Sequence, residues 1–194
     1  MTVVPFDKST AIAEILAAAP GVPTVFTTGF ASRVAASMDE RPNHFYMTGS
    51  MGLALALGTG VAMAWQQPTI VVDGDGSLLM NPATLLAVGA APELPLVHIV
   101  LDDGLYASTG GQPTPGKHAH LAGFATASGY RSVCEATNPS ALRTRLATAL
   151  GAPSAVFIHC PVQPDAAPPL RRVTPDLPGV AMRFSQFVRR AAAP

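Results

Sequence analysis

The chain has 194 residues, enough for one domain with a sizeable core. Its 12 basic and 12 acidic residues cancel, so electrostatics give no argument for nucleic acid or an anionic membrane as partner. Hydrophobic residues make up 48% and charged residues 12%, an apolar balance for a soluble domain that suggests surface buried against other subunits.

From the N-terminus, Lys8–Ala19 carries apolar residues at Ala11, Ile12, Ile15, Leu16 and Ala19, which is helical spacing, with Ser9 as its expected cap. Pro20-Gly21-Val22-Pro23 ends it. Thr24–Thr28 is rich in strand formers, and Gly29 opens a second helical segment over Ser32–Met38. Thr27-Thr28-Gly29 thus sits at a strand end before a helix. That position favours anions, although an ordinary turn accounts for it equally well. His44–Met47 reads as a short strand leading through Gly49-Ser50-Met51-Gly52 into the helix Leu53–Trp65. The glycines permit close approach of a planar ligand, and Met51 offers a soft side chain to pack on a ring. On local grounds a methionine here is more often simply core.

The centre of the chain is a βαβ unit. Apolar runs at Thr69–Val72 and Leu96–Leu101 each end in an acidic cluster, Asp75 in one and Asp102-Asp103 in the other. The segment between them is helical in pattern, with Asn81 as N-cap and Pro82 at the first helical position. Strands joined this way are parallel, and ligands bind outside the carboxyl ends of such strands. Hard oxygen ligands therefore reach one edge from two strands, which suits Mg²⁺ or Ca²⁺ and, with Mg²⁺, a phosphate. Gly74 and Gly76 let the backbone approach an anion, and Ser77 adds a hydroxyl near the helix start.

Gly74-Asp75-Gly76-Ser77, followed after about thirty residues by Asp102-Asp103, resembles the Gly-Asp-Gly…Asn-Asn motif of thiamine diphosphate (ThDP) enzymes. The resemblance implies that Asp75, the side chain of Asp103 and the carbonyl of Leu105 hold Mg²⁺, with Tyr106 beside them. Asp103 stands where that family usually has Asn, which adds a negative charge beside the diphosphate. Thr27-Thr28-Gly29 with Ser32-Arg33 resembles a stretch of phosphonopyruvate decarboxylases and sulfopyruvate decarboxylase β subunits that lies at the diphosphate. Gly49-Ser50-Met51-Gly52 is similar to the loop against the cofactor in ThDP decarboxylases. There the residue at Met51 would prop the bent cofactor and the Gly49 carbonyl would accept from its aminopyrimidine. Ser108-Thr109-Gly110-Gly111-Gln112-Pro113-Thr114, in the polar loop 107–116, closely resembles the same two decarboxylases. Ser108, Thr109 and Gln112 are the substrate candidates there, with Lys117 and His118 as further ones for an anionic group. His118 and His120 alternate, but no third metal ligand accompanies them.

Beyond the loop, Leu121–Ser128 reads as a helix, Tyr130–Val133 as a strand, Asn138–Leu150 as a helix and Ala155–Cys160 as a buried strand with His159 a core histidine. Gln163–Pro178 is Pro-rich without periodicity, and Val180–Val188 is a short amphipathic helix. Leu170-Arg171-Arg172 and Thr174-Pro175 loosely resemble the end of phosphonopyruvate decarboxylases. Cys134 and Cys160 are expected as buried free thiols. The start lacks a basic region followed by an apolar run, and Leu53–Trp65 is too short and Gly-interrupted to cross a membrane, so the cytoplasm is the expected compartment.

The expected fold is a doubly wound α/β domain with a mostly parallel sheet and helices on both faces, over residues 1–163, followed by a tail over 164–194. The resemblance implies the diphosphate-binding (PP) half of a ThDP- and Mg²⁺-dependent 2-oxo acid decarboxylase acting on sulfopyruvate or phosphonopyruvate. In that family the activating glutamate comes from a pyrimidine-binding (PYR) domain. Glu14, Glu40, Glu93 and Glu135 all fall outside the matching motifs. A PYR-domain α subunit is therefore the expected partner, in an α2β2 or larger assembly. The alternatives are the PP component of a carboligase or 2-oxo acid oxidoreductase, and a non-catalytic ThDP-binding regulator.

Overall fold

A computed structural model describes residues 6–165, 172–173 and 176–191. A six-stranded, wholly parallel sheet runs in the order β2-β1-β3-β4-β8-β7. Its strands are β1 (Thr24–Phe26), β2 (His44–Tyr46), β3 (Thr69–Gly74), β4 (Leu96–Asp102), β7 (Ser132–Glu135) and β8 (Val156–Pro161). Parallel sheets need cover on both faces, and the side chains of the central strands alternate between two cores. Ile70, Val72, Ile99 and Ile158 pack under helices α1 (Lys8–Ala18), α2 (Phe30–Met38) and α7 (Pro139–Leu150). Val71, Val100 and Phe157 pack under α3 (Ala54–Trp65), α5 (Thr84–Gly89) and α6 (Leu121–Ala127). Helix α3 lies so close to the sheet that a Cβ at Gly58 would come within 2.1 Å of Val71 Cγ2.

Four local expectations differ. Helix α1 is capped by Asp7, whose carboxylate accepts from Thr10 N at 2.8 Å, while Ser9 N donates to Asp165 at 3.0 Å. The segment between β3 and β4 is not one helix. A first helix, α4 (Asp75–Met80), starts directly at the strand end, Asn81 closes it as C-cap, and α5 follows. Pro82 has no N–H to continue the ladder, so the periodic pattern spans a break. Cys160 is buried as expected, but Cys134 is only half-buried. The C-terminal helix α8 (Leu177–Ala191) is longer than its apolar pattern, with Pro178 in its first turn and Arg189 and Arg190 in its last. Its Phe184 packs on Phe45 and its Phe187 stacks on Trp65. Leu170, Arg171, Thr174 and Pro175 lie outside the described residues. No helix among the described residues is long and apolar enough to cross a membrane.

Candidate functional site

The chain leaves β1 toward β2 and then returns past it to β3. The loops after β1 and β3 therefore diverge, and a crevice opens between them at the carboxyl ends of the strands. Thr27 and Thr28 line one side of this cleft. Gly74, Asp75, Gly76 and Ser77 line the other, with Met51 and Leu105–Ser108 completing it.

Ser77 ties three loops together. Its hydroxyl is hydrogen-bonded to Thr27 Oγ1 at 2.8 Å and accepts from Gly52 N at 3.1 Å. Asn81 reinforces the same loop by donating to the Gly52 carbonyl at 3.2 Å. Within that loop Ser50 has φ 60°, a left-handed conformation that costs a non-glycine residue on the order of 1–3 kcal/mol and is held here by these anchors. Met51 is thus presented to the cleft on a fixed turn.

The acidic edge is arranged in three pairs. Asp75 opens α4 and is 1% exposed; Thr114 Oγ1 donates to its Oδ2 at 2.5 Å. Burial pushes its carboxyl up to about 6, helped by the charges of Asp102 and Asp103 and opposed by the Thr114 bond. Asp102 Oδ2 meets His159 Nε2 at 2.9 Å, and this bond holds the Asp102 carboxyl below the ordinary range. The same contact raises His159, whose Nδ1 lies 3.4 Å from Glu135. Asp103 Oδ2 is 2.7 Å from Lys8 Nζ, and the two side chains are 2% and 10% exposed. Among the described residues no three His, Cys, Asp or Glu side chains converge as a metal cluster. Any cation here would be held by few carboxylates plus main-chain oxygens. The donors suit a hard divalent cation, and the desolvated Asp75 has need of one.

The Asp75 carboxyl yields a pH prediction. Its folded-state value of about 6 lies above the ordinary 3.8, so the proton-linked stabilisation is complete below the latter and disappears as pH rises through the former. A cation competes with that proton. Affinity for Mn²⁺, read by electron paramagnetic resonance of the free ion, should be level above about pH 7. Below about pH 6 it should fall roughly tenfold per unit. Constant affinity across this range would remove Asp75 from the cation site.

The thiamine pyrophosphate enzyme C-terminal TPP-binding domain matches residues 27–160. The chain belongs to this family. It is 42% identical to a phosphonopyruvate decarboxylase of Streptomyces viridochromogenes over 179 residues, covering 92% of this chain and 45% of that protein. It is 35% identical to sulfopyruvate decarboxylase subunit beta of Methanothermobacter thermautotrophicus over 162 residues, 84% and 80% of the two chains. It therefore spans less than half of the phosphonopyruvate decarboxylases it matches and most of the sulfopyruvate decarboxylase subunit. A ThDP-dependent 4-hydroxybenzoylformate decarboxylase of Rhodococcus jostii RHA1 shares the fold, with a TM-score of 0.71 at 20% identity over 86% of this chain and 34% of that one.

In this TPP-binding domain the residues singled out from sequence separate into groups. Thr27, Thr28, Met51, Gly74, Asp75, Gly76, Ser77, Leu105, Tyr106 and Ser108 meet in one cleft. Gly49 and Ser50 face an adjoining apolar groove, and Gly29 a second cavity. Asp103 does not line the cleft; its carboxylate is turned to Lys8, which does. The polar loop is not an open one. Leu105–Tyr106 (β5) and Gln112–Pro113 (β6) form an antiparallel hairpin, turned by Gly110 and Gly111 at φ 132° and 74°. Thr109 and Gln112 bond each other at its exposed tip. Tyr106 packs so tightly over the α4 start that a Cβ at Gly76 would lie 2.5 Å from its ring. His118 is exposed, and the side chain of Lys117 lies outside the described residues.

Four functional neighbours escaped the sequence reading. Lys8 and His159 are 95 and 57 residues from their aspartate partners, Thr114 is 39 from Asp75, and Asn81 is 29 from Gly52. No local pattern relates them. His159 is not a core histidine but a half-buried bridge between two carboxylates, because β8 pairs alongside β4 and brings it level with Val100.

Proposed function

We propose that this chain is the β subunit of a ThDP- and Mg²⁺-dependent decarboxylase of an anionic 2-oxo acid, sulfopyruvate or phosphonopyruvate. Residues 1–163 would form the diphosphate-binding domain and 164–194 its tail. The carrying observation is the convergence of Asp75, the Met51 turn and the Leu105–Ser108 segment after β4 on one cleft, in a chain similar over most of its length to a sulfopyruvate decarboxylase subunit beta.

Bound ThDP would supply the electron sink for loss of CO₂. Asp75, the Asp103 side chain and the Leu105 carbonyl would hold Mg²⁺. Thr27, Thr28, Gly29 and the α4 backbone around Gly76 and Ser77 would anchor the diphosphate. Met51, on the turn fixed by Ser77 and Asn81, would prop the reactive cofactor conformation, with Gly49 accepting from the aminopyrimidine. Because a prop acts on geometry rather than on anchoring, Met51→Gly is expected to lower kcat about 10-fold or more while changing ThDP affinity little. Unchanged kcat would dismiss the prop.

The activating glutamate would come from a PYR-domain partner in an α2β2 or larger cytoplasmic assembly. Glu14, Glu40 and Glu93 are engaged by Arg143, Arg183 and Arg131. Glu135 stands behind Asp102 and His159, away from the cleft lining. The test is CO₂ release from sulfopyruvate and phosphonopyruvate by the chain with ThDP and Mg²⁺, alone and then with its partner. No turnover alone and turnover with the partner is the expected result; equal activity in both would refute the divided site.

A further inference from the structure

A cavity of about 490 Å³ adjoins the cofactor cleft, and Thr28 and Ser108 belong to the walls of both. Its chemistry is the reverse of the cleft's. The cleft is lined by Asp73 and Asp75 with one cation, Lys8. The cavity is lined by Arg33 and Arg172 and by no carboxylate. Arg41, Arg131, Arg143 and Arg183 each close on an acidic partner, whereas among the described residues Arg33 and Arg172, like Arg145, Arg189 and Arg190 elsewhere on the surface, have none. Arg33 is half-buried in the first turn of α2, with its guanidinium 5.5 Å from the centre of the Phe30 ring. A cation steadied on an aromatic face keeps its hydrogen-bond donors free for a ligand.

Arg33 lies one turn beyond Gly29, the N-cap of α2, and both residues line this cavity. Thr28, Thr48 and Ser108 bring hydroxyls to it. Two arginines and three hydroxyl-bearing residues in the wall of a cavity of this size, without a carboxylate, form a receptor for a small tetrahedral oxyanion.

We infer that Arg33 and Arg172 bind the phosphonate or sulfonate terminus of the substrate, with its 2-oxo acid end extending past Thr28 and Ser108 into the cofactor cleft. This rests on the decarboxylase reading for what the rest of the substrate does, but the anion site itself can be measured without turnover. Hydroxyls that serve both compartments would set the distance between the charged terminus and the reacting carbonyl. The guanidinium fork suits either oxyanion, and a dianionic phosphonate gains more from two positive charges than a monoanionic sulfonate.

The experiment is calorimetric titration of the full chain with phosphonoacetate, sulfoacetate and, as a control without the tetrahedral group, malonate. It is repeated on Arg33→Met, Arg33→Lys and Arg172→Met, with circular dichroism to verify folding. Wild type should bind the two tetrahedral anions in preference to malonate. Each methionine variant should weaken that binding by about 10- to 100-fold, and Arg33→Lys should recover part of the loss. Wild type binding neither anion, or binding malonate equally well, overturns the proposal. So does a folded Arg33→Met variant that binds them normally. If ThDP–Mg²⁺ affinity falls in parallel with anion affinity, the arginines serve the diphosphate and the subsite is likewise refuted. Anion binding without CO₂ release in the partnered enzyme would instead leave the subsite standing and refute the decarboxylase.

Discussion

Asp75→Ala is expected to abolish ThDP–Mg²⁺ binding in the assembled enzyme while leaving the chain at least as stable as before. The two effects have one cause. Asp75 is almost fully buried and its carboxyl is pushed up to about 6, so ionising it at neutral pH in the absence of a cation costs the fold about 3 kcal/mol. Removing it relieves that cost, which is already net of the Thr114 hydrogen bond, and leaves the Thr114 hydroxyl unpaired beside a small cavity at a cost of about 1–2 kcal/mol. A net gain of about 1–2 kcal/mol follows. The same deletion takes away the carboxylate best placed to bind the metal. The remaining aspartates are already engaged by His159 and Lys8, so a diphosphate would meet an acidic edge without a bridging charge. Losing even an outer-shell partner of a metal typically costs 10- to 100-fold in affinity, and loss of a direct ligand should exceed about 100-fold. Calorimetry with ThDP and Mg²⁺, paired with urea unfolding, measures both sides. Wild-type affinity would discard the metal assignment, and a destabilisation of several kcal/mol would contradict the raised carboxyl.

Lys8→Met should act in the opposite sense on the fold. The Lys8–Asp103 pair is nearly solvent-free, with Asp103 only 2% exposed, and removal of one partner from such a pair costs about 3–5 kcal/mol. For a chain of this size the Tm should fall by roughly 10 °C. Asp103→Asn is instructive beside it. On charge alone, removing a carboxylate next to a diphosphate should favour the anion. With Lys8 in place, that carboxylate is already neutralised, and the substitution strands a buried ammonium instead. It should lower stability too, whereas Lys8→Met combined with Asp103→Asn should recover most of the loss. If Asp103 is drawn to a bound cation, Mg²⁺ should raise the Tm of Lys8→Met more than that of wild type. A Lys8→Met variant within about 0.5 kcal/mol of wild type would show that the pair contributes nothing.

The sequence alone determined the fold class and the family, because both are written in short-range patterns. Continuous apolar runs at Thr69–Val72 and Leu96–Leu101, each closed by an acidic cluster and joined by a helical segment, specify a βαβ unit and say which sheet edge carries the chemistry. It marked a helix start at Asn81 and Pro82 but missed the separate helix α4 before it, which Asn81 closes as C-cap, because apolar periodicity runs across the break while Pro82 interrupts the hydrogen-bond ladder. Nor did it find how the acidic edge is balanced. Lys8 reaches Asp103 because α1 packs against the sheet near the end of β4, and His159 reaches Asp102 because β8 is the neighbour of β4. Those contacts join residues far apart in the chain, and no local spacing encodes them. The same holds for Ser77, where sequence suggested a donor to an anion. The fold places its hydroxyl between Thr27 and Gly52, so that it joins two other loops to the first turn of α4. Residue types declare which groups are available, but burial and strand order decide which of them are neutralised and which remain open to a ligand.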